Sequence, residues 1–180
     1  MKTSYFKTLL ALTGIAMAAG PAMALNEKSN SKMDVVFLEP TKFTDVRDSD
    51  MGDYERTTYL DSLKEHLFSQ AKNYVPEGYK LSVTFTDIDM AGDFEPWRGP
   101  RFGDIRIVKD IYPPRIELSF RFTDADGKVV KEGKRELRDL AFLSKINMSF
   151  RDDPVRHEKG LLDDWLRNEF PKVPKAKKST

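Results

Sequence analysis

From Arg115 to Thr123 the chain reads RIELSFRFT, with Ile116, Leu118, Phe120 and Phe122 in one phase and Arg115, Glu117, Ser119 and Arg121 in the other. Successive strand side chains point to opposite faces, so this alternation specifies a strand with one covered and one wet face. Lys80 to Thr86 repeats the pattern, with Leu81, Val83 and Phe85 against Ser82, Thr84 and Thr86. Then the phase flips: Ile88 and Met90 continue on the even side, while Asp87 and Asp89 fall on the odd one. A swap of faces needs a bulge, a bend or a change of partner, and the sequence places it near Asp87.

The covered face needs a second layer. Tyr54 to Val75 supplies a helix, in which Leu60, Leu63, Leu67, Ala71 and Tyr74 recur at three- and four-residue steps, with Pro76 and Gly78 ending it. His66 lies at the edge of that stripe and reads as a half-exposed helix histidine. A second helix follows Asp153-Pro154, an N-cap with proline in the first turn. It turns Leu161, Leu162, Trp165 and Leu166 toward the core despite Gly160, which costs about 1 kcal/mol relative to Ala. Met33 to Leu38 reads as a further strand. Asp104 to Tyr112 carries apolar residues on both phases (Ile105, Ile107, Ile111 and Val108), the pattern of a central strand ended by Pro113-Pro114. Asp124 to Gly127 forms a hairpin turn, and a three-residue loop there sets Phe122 opposite Val130. The return strand, Lys128 to Leu137, is charged like an edge. Leu140 to Phe150 is apolar without a period and stays unassigned. The expected fold is α+β, a two-layer domain with one largely antiparallel sheet and two main helices packed on one face.

The first residues bear on location. Lys2 and Lys7 precede an apolar run from Leu9 to Ala19, then Gly20-Pro21 and the small-x-small triplet Ala22-Met23-Ala24. That is the layout of a secretory signal, removed after Ala24, and the run falls short of the roughly 20 residues that span a bilayer. Residues 25–32 read as a disordered start, 33–171 as a single domain, and 172–180 as a basic disordered tail. No further transmembrane segment is expected. With 30 basic and 29 acidic residues the chain lacks the basic excess of a nucleic-acid binder. It has no cysteine, so disulfide, thiolate and cysteine-acylation chemistry are excluded.

Four phrases in order, VVFLEPTKFTDVRDS (Val35–Ser49), TDIDMAGDFEPWR (Thr86–Arg98), IRIVKDIYPPRIEL (Ile105–Leu118) and HEKGLLDDW (His157–Trp165), together resemble the proteobacterial family called domain of unknown function 3016. The resemblance implies a small exported protein of Gram-negative bacteria, and periplasmic residence rests on it. It carries no activity, ligand or catalytic residue.

Chemistry concentrates between Asp87 and Arg101. Asp87, Asp89, Asp93 and Glu95 are hard oxygen ligands around Gly92, and Asp87, Asp89 and Gly92 fit positions one, three and six of a calcium loop. Ala91 and Arg98 then break that pattern, and carboxylates capping turns and pairing with Arg98 and Arg101 explain the residues as well. Next to them, Phe94-Glu95-Pro96-Trp97-Arg98 joins aromatic and cationic groups of the kind that anchor interfaces. The candidate binding surface is Asp93, Phe94, Glu95, Trp97, Arg98 and Arg101, extended by Tyr112 and Arg115. No catalytic set stands out: there is no nucleophile elbow, and His66 and His157 are the sole imidazoles. His157 falls along the core-facing stripe of the last helix as a packed or capping residue. No cofactor is expected. Three readings follow: a non-enzymatic envelope protein presenting the 87–101 loop to a protein or glycan, a divalent-cation protein using Asp87, Asp89, Asp93 and Glu95, and a cell-wall hydrolase needing two opposed carboxylates.

Overall fold

The structure, a computed structural model, describes residues 32–46, 53–99, 105–145 and 153–174. The signal-like segment, Arg101 and most of the basic tail lie outside these residues. Four strands form the main sheet in the order β1 (Met33–Phe37), β2 (Lys80–Asp89), β5 (Arg115–Thr123) and β6 (Val129–Arg138). β3 (Asp93–Phe94) and β4 (Arg106–Ile107) make a separate two-stranded ribbon between β2 and β5. β1 runs parallel to β2, and parallel neighbours need a crossover. Helix α1 (Asp53–Tyr74) is that crossover, and α2 (Arg156–Glu169) follows β6.

Alternation decides the layers. Met33, Val35, Leu81, Val83, Phe85, Ile88, Ile116, Leu118, Phe120 and Phe122 turn to one side, where they form one core with both helices. The stripe of α1 meets it as the spacing requires: Leu60, Leu63, Leu67, Ala71 and Tyr74 are all buried. From α2 come Leu161, Leu162, Trp165 and Leu166. The Phe120 ring meets Trp165 at 5.7 Å and Phe170 at 5.6 Å, both edge-on. Each such aliphatic or aromatic side chain contributes roughly 1.5–3 kcal/mol on full burial. The fold is α+β, as the pattern of strands and helices indicates.

The phase flip is a register shift. Phe85 pairs with Leu118 and Asp87 with Glu117, so Thr86 is the extra residue. The bulge keeps Ile88 on the core side and sends Asp87 and Asp89 to the outer face, beside Arg115.

Several expectations are corrected. Asp104 to Tyr112 is not a central strand: only Arg106–Ile107 pairs, and Ile105, Val108 and Ile111 are exposed. The reason is a lack of neighbours, because β2 and β5 pair directly and expel the intervening chain from the sheet. Phe122 faces Lys131 rather than Val130, since a second irregularity at the start of β6 puts Val129 against Thr123. His66 is buried, its Nε2 2.8 Å from Asp163 on α2. Helix α2 begins at Arg156, after a turn in which the Asp153 carboxylate accepts the Val155 N–H at 2.9 Å. Of the unassigned 140–150 stretch, Phe142–Ser144 is a single 3-10 turn that buries Phe142. His157 is partly covered, its ring 4.8 Å from that of Phe142.

Candidate functional site

The chain between β2 and β5 leaves the sheet, forms the β3–β4 ribbon, and returns through Pro113-Pro114. Its root is tied down by three acidic side chains from three parts of the fold. Asp87, placed outward by the bulge, accepts the Thr44 N–H at 2.6 Å, the Thr44 hydroxyl at 2.7 Å and Arg115 at 2.8 Å. Asp45 takes both guanidinium nitrogens of Arg106, at 2.6 and 2.9 Å, together with the Met90 N–H at 3.0 Å. Arg106 also donates to the Gly92 carbonyl at 3.0 Å and lies 4.7 Å from the Phe94 ring.

The third acid is Glu158 of α2. One carboxylate oxygen accepts the Ala91 N–H at 2.7 Å, and the other, buried, has no hydrogen-bond partner among the described residues. The residue is 1% exposed. Burial pushes its carboxyl up to about 7, against the Ala91 hydrogen bond and the nearby Arg106. That protonation range suits a general acid, but no substrate reaches a side chain sealed this far.

Beyond the root, Glu95 is almost fully covered. Lys109 and the Tyr112 hydroxyl (3.1 Å) donate to one oxygen, and Arg98 Nε lies 2.7 Å from the other. The Lys109 hydrogen bond leads in holding the Glu95 carboxyl below its ordinary range, against burial. Tyr112 is raised by burial and by Glu95. This cluster ties the 3-10 turn Pro96–Arg98 to the chain returning between β4 and β5, and Trp97 at its centre is left 70% exposed.

The four acids of the cation reading are therefore not gathered. Asp87 and Asp89 face Arg115, Asp93 is exposed and accepts the Phe94 N–H at 2.7 Å, and Glu95 is enclosed by cations. Among the described residues no three His, Cys, Asp or Glu side chains converge for a metal. Burial raises the Asp89 carboxyl, with Asp45 adding to it and Arg115 opposing. Of the candidate surface, Trp97 and Arg98 are exposed, while Phe94 and Tyr112 are half-buried and engaged by Arg106 and Glu95. Arg115 belongs to the root.

What the sequence reading assigned to the core is instead exposed. Ile105 (53% exposed), Ile111 (65%) and Val108 stand out from the same excursion as Trp97. The β3–β4 pairing brings the 95–98 turn and Ile105 to one end of the ribbon. Asp45, Arg106 and Glu158 were not singled out by the sequence. For Glu158 a signal existed: it sits three, four and seven residues before Leu161, Leu162 and Trp165, on the apolar stripe itself.

Fold and site define an α+β protein with a polar-rooted, apolar-tipped excursion thrown out between two central strands. The chain matches the family described as "Protein of unknown function (DUF3016)" over residues 31–168, and belongs to it. None of the curated proteins matches the chain. Among solved structures, a minor lipoprotein from Acinetobacter baumannii is similar at 13% identity, covering 80% of this chain and 96% of that one. Its TM-score of 0.24 is too low to read a shared fold. Among the described residues no helix is long and apolar enough to cross a membrane.

Proposed function

We propose that this is a non-enzymatic accessory protein of the bacterial envelope, exported by its N-terminal signal, that binds a protein partner through the excursion between β2 and β5. The observation that carries the reading is the exposure of Trp97, Ile105 and Ile111 on a segment whose root is fixed by Asp45, Asp87 and Glu158. Exposed apolar side chains scattered singly are ordinary, but several on one tethered projection mark an interaction surface. A fixed root also lowers the ordering cost of association. Aliphatic Ile105 and Ile111 favour a protein over a glycan, because a sugar ring gains from an aromatic face and from polar groups and little from a branched alkyl chain.

Photo-crosslinkers at positions 97, 105 and 111 in cells should capture the same partner, and Trp97→Ala should weaken capture from position 111. Since Trp97 is mostly exposed, that substitution should change stability by less than about 0.5 kcal/mol. Probes at Asp61 and Lys72, on the exposed side of α1, serve as controls. Adducts from α1 with none from the excursion would refute the assignment.

A further inference from the structure

The outer edge of β6 carries an order of charge that suits one partner. On the wet face of the sheet it reads Glu132, Lys134, Glu136, Arg138, alternating in sign, and all four are exposed. Edge strands are commonly guarded against self-association by charged side chains, Lys above all, by proline or by a bulge, and a row of one sign would repel a second copy. Here the signs alternate. A two-fold axis normal to the sheet sets each residue opposite one on the same face, so neighbouring antiparallel registers can be compared.

We propose that β6 pairs with β6 of a second copy of this chain, antiparallel, with the two-fold axis at Arg135. In that register Lys134 faces Glu136 of the other copy and Glu132 faces Arg138, each twice by symmetry. Opposite charges directly across an antiparallel pair attract, and like charges repel. Moving the axis by one residue loses this. Centred on residue 134, Lys134 meets itself and Glu132 meets Glu136; centred on 136, Glu136 meets itself and Lys134 meets Arg138.

On the dry face the same axis sets Arg135 opposite itself, a repulsion that Glu169 reduces by taking two of the Arg135 guanidinium nitrogens at 2.8 and 2.9 Å, and it sets Lys131 opposite Asp139. Lys131 also pairs with Glu169, at 2.7 Å. The ends agree as well: the register directs Val130 (55% exposed) toward the end of the other strand that carries Leu140 (72% exposed). Glu132 has an intrachain partner in Arg121 at 3.1 Å, but both side chains are more than half exposed and can share. Joining the two four-stranded sheets through their β6 edges makes one continuous sheet of twice the width. This surface is separate from the excursion, so its fate does not depend on the partner-binding reading.

The test is sedimentation velocity on the purified chain at low salt. Wild type should be dimeric, and Lys134→Glu and Glu136→Lys should each be monomeric, since either sets like charges opposite one another. The double variant Lys134→Glu/Glu136→Lys restores opposition and should be dimeric again. Circular dichroism establishes that each variant is folded, as expected at exposed positions. A monomeric wild type, a dimer that survives both single reversals, or a double variant that stays monomeric would each overturn the proposal.

Discussion

A carboxyl group on the core side of a helix is an expensive choice, and Glu158 shows what it does. Its proton is retained in the fold up to about pH 7 because burial penalises the charge, whereas in the unfolded chain it leaves near 4.5. Between those values the folded chain binds more protons, so stability falls as pH rises from about 4.5 through 7 and then levels off. The groups facing the carboxyl, Arg106 and Asp45, act in opposite directions and leave burial dominant. Glu158→Gln keeps an oxygen for the Ala91 N–H and removes the charge. It should raise stability at pH 8 by an amount of order 3 kcal/mol and converge on wild type near pH 4. Chemical denaturation at the two pH values measures both ends, and equal differences at pH 4 and 8 would show that the carboxyl is not the source.

At the scale of elements, two glycines should respond in opposite ways. Gly160 lies inside α2, and a Cβ there would meet nothing within 4 Å. Gly160→Ala should stabilise by up to about 1 kcal/mol. Gly92, at φ 89°, opens the excursion, and a Cβ there would sit 2.9 Å from the Ile107 carbonyl oxygen. Gly92→Ala should therefore destabilise, by roughly 1–3 kcal/mol; thermal melts of the pair test both signs. Local periodicity made α1, α2, β5 and the bulge at Thr86 legible, because each follows from residues near in sequence. The ribbon was not legible. Ile105 to Ile111 is apolar enough for a core strand, and only the direct pairing of β2 with β5 denies it neighbours. The burial of His66 depends on Asp163, far along the chain, and the β5–β6 register depends on an extra residue near Val130 that alternation alone does not reveal. For the candidate site the result is divided. Trp97, named for its residue type and loop setting, is exposed, while Ile105 and Ile111 were assigned to the wrong environment.

At the scale of the molecule, the excursion is tied to both layers at once. The Ala91 N–H is bonded to α2 through Glu158, the Met90 N–H to the β1–α1 connection through Asp45, and the Gly92 N–H to the Tyr112 carbonyl at 3.0 Å. Opening any of these amides means separating the helical layer from the sheet or breaking a buried pair, both close to global unfolding in cost. Among the described residues the amides of the 96–99 turn reach neither layer: Arg98 and Gly99 donate to the Glu95 and Pro96 carbonyls, and the turn is held through the Glu95 side chain to Lys109 and Tyr112 within the excursion itself. The tip is thus tied to its own excursion, while the base is tied to the core. Hydrogen exchange should show amides 90–92 protected to the level of β2, with those of 98 and 99 exchanging through local opening. In Glu158→Ala, which leaves Ala91 without its acceptor, protection at 90–92 should drop while that of Leu81 to Phe85 is retained. Uniform loss across both segments would mean that the excursion and the sheet open as one unit, with no separate root.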